Sequence, residues 1–228
     1  IAGESPYKSP TDMGVNMAGN CIVDDEACRY ASNMEIIRRY YKYLCDQKRT
    51  GVNSQEIYKI ELLMNQAGIT PSSRPVVNAA LEKSAKNGDK PAVAIELEDG
   101  TIVTGKTGDL LGAASSALLN ALKQLAGIDD SVDLLSPESI SPIQTLKTNY
   151  LGSRNPRLHT DEILIALSSS VVANPLADKA LKQMPKLYAC DVHSTVILSA
   201  VDKDTFKRLG MNLTCEPAYE EEKRFHKN

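Results

Sequence analysis

No apolar run in this 228-residue chain approaches the roughly 20 residues that a bilayer-spanning helix needs, and the amino terminus lacks the basic-then-apolar order of a secretory leader. Neither charge sign is in large excess: a net charge of −3 and a pI near 5.7 remove the electrostatic reason to expect a nucleic-acid partner. There is no C-x-x-C. Cys21, Cys28, Cys45, Cys190 and Cys215 are odd in number and lie in apolar or helical surroundings, which predicts buried thiols and a cytoplasmic protein rather than disulfides or a zinc knuckle. His-Glu-x-x-His is absent, since His159, His193 and His226 stand far apart, so a common zinc peptidase is excluded and no metal site is expected. Gly112-Ala113-Ala114-Ser115 lacks the G-x-S-x-G elbow of a serine hydrolase, and Ser5-Pro6-Tyr7-Lys8 matches S-x-x-K only in a proline-containing loop. An initiating methionine is missing as well, and the chain reads as a fragment or processed chain with part of its functional unit elsewhere.

What is present is an ordinary globular composition, 42% apolar and 24% charged. After a Gly, Pro, Ser and Asn-rich start over residues 1–20, Asp24 and Asp25 supply cap and dipole chemistry for a long helix. Its apolar stripe is Ala27, Tyr30, Met34, Ile37, Tyr41 and Leu44, spaced alternately by three and four, and the stripe is expected to be buried against this domain, a partner subunit or the absent half. Ile57, Ile60, Met64 and Ala67 repeat the period before Gly68, and Pro75 opens a further helix closed by Gly88. Residues 1–88 therefore form a helical region and residues 89–228 a mixed α/β domain.

Within the second region the pattern predicts a hairpin, a helix capped by Ser115 or Ser116 and stopped by Gly127, and a short strand over Val132 to Leu135. It continues with a helix opened by Ser136-Pro137-Glu138, helices from Thr160 and from Asn174-Pro175, and a strand over Val192 to Leu198. A helix capped by Asp202 and a strand over Met211 to Cys215 end the series. The fold class is α/β, a mixed sheet of about five strands with helices on its faces. The order resembles a cytidine-deaminase-like core without its zinc, because Ala114-Ser115-Ser116 and Ser136-Pro137-Glu138-Ser139 stand where the His or Cys, Glu and Pro-Cys-x-x-Cys groups would be.

Gly100 to Thr107 literally matches the phosphate-loop pattern G-x-x-x-x-G-K-S/T. Four successive β-branched residues, Thr101 to Thr104, disfavour the compact loop, and Asp99-Gly100 favours a type I′ hairpin joining Ala92–Leu97 to Thr101–Gly105. ATP binding through Gly100 to Thr107 is the alternative. Anion recognition has a broader footing, because helix starts near Ser115, Ser116 and Ser136 present free amides beside Lys106 and Thr107. The connection Arg154-Asn155-Pro156-Arg157-Leu158-His159 adds two guanidiniums and an imidazole. His193 on its strand points into a pocket or into the core, and Asp12 and Asn16 close a site or make Asx turns.

The strings Tyr7 to Gly19, Glu96 to Thr107, Asn155 to His159 and His193 to Ser199 together resemble the bacterial family called domain of unknown function 1846, over nearly the whole chain. The resemblance implies that this chain is the carboxy-terminal half of a longer protein with a nucleotide-binding-like α/β half in front. Some members have been called ATP-dependent peptidases, and the resemblance supplies no catalytic residues or cofactor. The leading functional expectation is a site for a phosphorylated or carboxylated small molecule, shared with the other half or with another subunit. The alternative is an assembly module in which the Ala27 to Leu44 stripe is the interface of a homo-oligomer.

Overall fold

The structure, a computed structural model, describes residues 24–52 and 55–220. Helix α1 (Asp25–Thr50) begins where the Asp24 carboxylate accepts from the Ala27 amide at 2.8 Å and ends at Gly51, whose φ of +70° lets the chain turn away. Helix α2 (Gln55–Ala67) folds back on α1, and α3 (Pro75–Ala85) follows. Met34, Ile37 and Tyr41 are buried with Ile60 and Met64 of α2 and Val77 of α3 in one apolar cluster. Within this chain the stripe is thus buried over its middle turns, while Leu44 is half-buried and Ala27 and Tyr30 are exposed.

Four strands make one mixed sheet in the order β2-β1-β3-β4: β1 (Ala92–Glu96), β2 (Ile102–Lys106), β3 (Asp191–Ser194) and β4 (Asn212–Cys215). The expected strand over Val132 to Leu135 is a loop: Leu134 and Leu135 are buried in the large core, and Leu134 O accepts from the Asn174 side-chain amide at 3.2 Å instead of joining a strand ladder. The likeness to a deaminase core gains no support from this sheet. β3 also stops at Ser194, well short of Leu198. Since β1 is antiparallel to both β2 and β3, and β3 is parallel to β4, the carboxyl ends of β2, β3 and β4 share one edge.

The two faces of the sheet are covered differently. Val93, Ile95 and Val192 point into the large core built with α4 (Ala113–Ala126), α6 (Thr160–Ser170), α7 (Pro175–Leu181) and α8 (Ala200–Arg208). Ala94, His193 and Thr214 are register partners on the opposite face, under α1 and α3. Helix α5 (Pro137–Thr145) is capped by the Ser136 hydroxyl and runs into a π-helical turn over Leu146–Tyr150.

Candidate functional site

The hairpin settles the fate of the phosphate-loop pattern. Gly100 has φ +81° and donates its amide to Leu97 O at 2.9 Å, while the Asp99 carboxylate accepts from the Thr101 amide. Only one residue of this turn has positive φ, so it is not the expected type I′ turn, which needs two. Gly105 is required for a second reason: a Cβ there would overlap the Ala117 backbone nitrogen, because α4 lies directly on β2. Both glycines are therefore explained by packing and turn geometry. The residues between them form the β2 ladder instead of a ring of amides around an anion, which removes the basis for ATP binding there.

Lys106 ends β2 and is exposed, whereas Thr107 is buried with its amide bonded to Pro91 O. Lys106 and Ser116 line one cavity of about 460 Å³, together with Lys83, Lys123, Asn120 and the carboxylates Asp109 and Asp133. Leu111, Leu119 and Ile140 form its apolar wall. Lys123 is committed elsewhere, its ammonium donating to Asp130 O at 2.7 Å. Lys83 and Lys106 have no ion-pair partner among the described residues. The cap of α4 is Gly112, not Ser115 or Ser116. The Ser115 hydroxyl is fully buried and donates to Leu158 O at 2.8 Å, tying the helix start to the 154–159 connection.

That connection does not line the cavity, and most of it is pinned in place. Arg154 is exposed, but Asn155 Oδ1 accepts from the Arg157 amide, and the buried Arg157 guanidinium reaches Glu220 at 2.8 Å. Leu158 pairs with Leu111. Lys147, projected inward from the π turn, donates to Arg157 O at 2.5 Å and to Glu162 at 2.6 Å. Glu162 also takes the His159 amide at 2.7 Å. His159 Nδ1 stands 3.0 Å from Asp202 Oδ2, and Asp202 Oδ1 accepts from both the amide and hydroxyl of Thr160. Asp202 was expected to cap α8. Ser199 is the cap, its oxygen accepting the Asp202 amide at 3.1 Å, which frees the Asp202 carboxylate to face His159. The Asp202 hydrogen bond raises the His159 pKa above the ordinary value against an opposing burial effect. Burial pushes the Asp202 carboxyl up, but its bonds to His159 and Thr160 prevail and hold it below the usual range.

His193 belongs to neither group. It lies on the other face of the sheet with no solvent exposure, its ring centroid 4.9 Å from that of Tyr41 and its Nδ1 2.9 Å from Thr214 Oγ1. Nε2 stands 3.2 Å from Glu216 Oε1 without aligning on it, while Tyr41 donates its hydroxyl to the same oxygen at 3.0 Å. Arg74, also fully buried, fills the neighbouring space and bonds to Asp191, Thr214, Asn212 O and Val192 O. Burial drives the His193 pKa down. Asp12 and Asn16 lie outside the described residues.

Sequence reasoning missed Lys147, Asp202 as a partner of His159, Ser199 and Arg74. Local signals existed only for Ser199 and Asp202, as rival caps three residues apart.

Residues 72–225 match the family described as Domain of unknown function DUF1846, C-terminal, and residues 1–68 match Domain of unknown function DUF1846, N-terminal. The second match corrects the expectation of a carboxy-terminal half alone. Among curated relatives, a UPF0371 protein of Corynebacterium diphtheriae is 57% identical over 227 residues, covering 100% of this chain and 46% of its own length. A UPF0371 protein of Streptococcus thermophilus is 51% identical, with the same coverage. The chain spans about half the length of these relatives. Among the described residues no helix is long and apolar enough to cross a membrane.

Proposed function

Since the chain belongs to the DUF1846 family, whose description names no reaction, we propose that it serves a longer, cytoplasmic protein by binding a small molecule that carries a phosphate or carboxylate. The observation that supports this reading is the pair of lysines, Lys83 and Lys106, without an ion-pair partner among the described residues and on one cavity with Ser116, Asn120 and an apolar wall. Ammonium groups and hydroxyl or amide donors can hold an anionic group directionally, while Leu111, Leu119 and Ile140 take the uncharged body of the ligand. Asp109 and Asp133 at the same cavity favour a ligand that also offers hydrogen-bond donors, such as hydroxyls. The Arg154 to His159 connection then shapes the site from behind, through Leu158, rather than touching the anion.

A second reading, assembly with another subunit or with the remainder of the protein, is favoured by the exposed Tyr58, Leu62 and Leu63 on α2 and the exposed Tyr30 on α1. The two readings separate in one titration. Calorimetry with inorganic phosphate and with citrate is expected to show saturable heat that Lys106→Ala and Lys83→Ala each weaken by about tenfold, the loss of one charge-assisted bond. Thermal stability should stay nearly unchanged in Lys106→Ala, because an exposed lysine contributes little to folding. Equal heats in wild type and both variants would reject the anion site.

A further inference from the structure

The three parallel strands end at one edge of the sheet, and the loop leaving β3 carries Ser199 there into α8. Ligands of α/β sheets bind at such carboxyl edges. What this edge holds is a histidine fixed from two sides. The His159 backbone amide is bonded to Glu162, and its ring nitrogen Nδ1 to Asp202. Asp202 is itself immobilised: Oδ1 accepts two bonds from Thr160, and Oδ2 accepts the Ser199 hydroxyl at 2.7 Å as well as facing the imidazole. A carboxylate on Nδ1 holds the proton on that nitrogen, so the neutral ring presents its lone pair at Nε2. Nε2 has no hydrogen-bond partner among the described residues, and the side chain keeps 26% of its surface open.

We propose that His159 Nε2 is a general base for a hydroxyl, of water or of an alcohol, attacking an ester carbonyl, with Asp202 as its positioning residue. Nε2 takes the hydroxyl proton while the oxygen forms a bond to the carbonyl carbon. The C–O bond of the ester then breaks, and the departing alkoxide recovers that proton from Nε2. Nδ1 keeps its own proton throughout, and the transient imidazolium charge faces the Asp202 carboxylate. Other charged groups around the ring are Lys147 from the π turn and Glu162 from α6, which neutralise each other at 2.6 Å and so leave Asp202 as the controlling partner. The site is separate from the lysine-lined cavity and stands whether or not that cavity binds an anion.

The test uses p-nitrophenyl acetate as the ester probe and a His226→Gln background, in which the two described histidines remain. Hydrolysis above the buffer rate is expected to follow the neutral form of one imidazole, and His159→Gln should lower it by about tenfold or more, within the range of general-base catalysis. Asp202→Asn should move the pH midpoint of that rate downward. A His193→Gln variant should leave rate and midpoint alone, since that ring is buried on the opposite face. Nitrogen-15 spectra of the unmutated protein should show the Nδ1-protonated tautomer for His159, a reading that needs no variant and survives if Asp202→Asn fails to fold. An undiminished rate in His159→Gln, or an Nε2-protonated neutral ring, would overturn the proposal.

Discussion

Arg74 carries a full charge into a position with no solvent exposure, and its guanidinium is satisfied there by Asp191, the Thr214 hydroxyl and two strand carbonyls. Removing Arg74 leaves the largely buried Asp191 with only the more distant Arg38, at 3.9 Å, as an ion-pair partner among the described residues, and leaves two strand carbonyls without that donor. Arg74→Met is therefore expected to lower the unfolding free energy by about 3–5 kcal/mol, measured by urea titration. Lysine should rescue little, since a single ammonium cannot reproduce a planar fork bonding in several directions. A loss below about 1 kcal/mol in Arg74→Met would place the pair among weakly coupled surface charges instead. Nothing in one sequence marks this arginine, because the residue type is almost always exposed and Pro75 beside it reads simply as a helix opener. Lys106 is the converse case: a conspicuous motif residue that the structure leaves free of any described ion pair.

At the scale of elements, Gly105 decides how closely α4 approaches β2. In Gly105→Ala the new methyl meets the Ala117 backbone, which cannot swing aside as a side chain would. Overpacking of this kind costs about 1–3 kcal/mol, and the expected readout is a lower melting temperature with no change in nucleotide affinity. A change in ATP binding instead would restore the phosphate-loop reading. The hairpin was legible because Asp99-Gly100 and the β-branched run agree. Most helices were legible as well, because Gly68, Gly88 and Gly127 end or follow them at positive φ. Failures came where local rules tie. The short stretch Val132-Asp133-Leu134-Leu135, with three apolar residues in four, suits a strand or a buried loop equally, and hydroxyl and carboxylate residues three apart compete for one cap, as with Ser199 and Asp202. The candidate sites were half legible: Lys106 with Ser116, and His159, came from the sequence. The Asp202 partnership spans 43 residues and exists only through packing of α6 against α8.

For the whole molecule, the two described histidines bend the pH dependence of stability in opposite directions. His193 has its pKa lowered, burial being the largest cause. Between that native value and the ordinary value of about 6.5, the unfolded chain binds a proton that the native protein refuses. Stability therefore rises with pH through this acid window and is fully present above it. His159 has its pKa raised, the Asp202 hydrogen bond being the largest cause. Between about 6.5 and its native value the folded protein holds the extra proton, so that stabilisation is complete below the window and is lost as pH rises through it. The two windows meet near the ordinary imidazole value, and a stability maximum is expected there, with slopes on each side of at most about 1.4 kcal/mol per pH unit. Asp202 and Glu216, both held below the usual carboxylate range, steepen the fall only at lower pH, as each protonates through its native value. Urea midpoints measured from pH 5 to 8 check the argument through two variants. His159→Gln should flatten the alkaline side and keep the acid slope, whereas His193→Gln should flatten the acid side and keep the alkaline slope. If either variant removed both slopes together, the two imidazoles would titrate as one coupled unit across the sheet, against their placement on opposite faces.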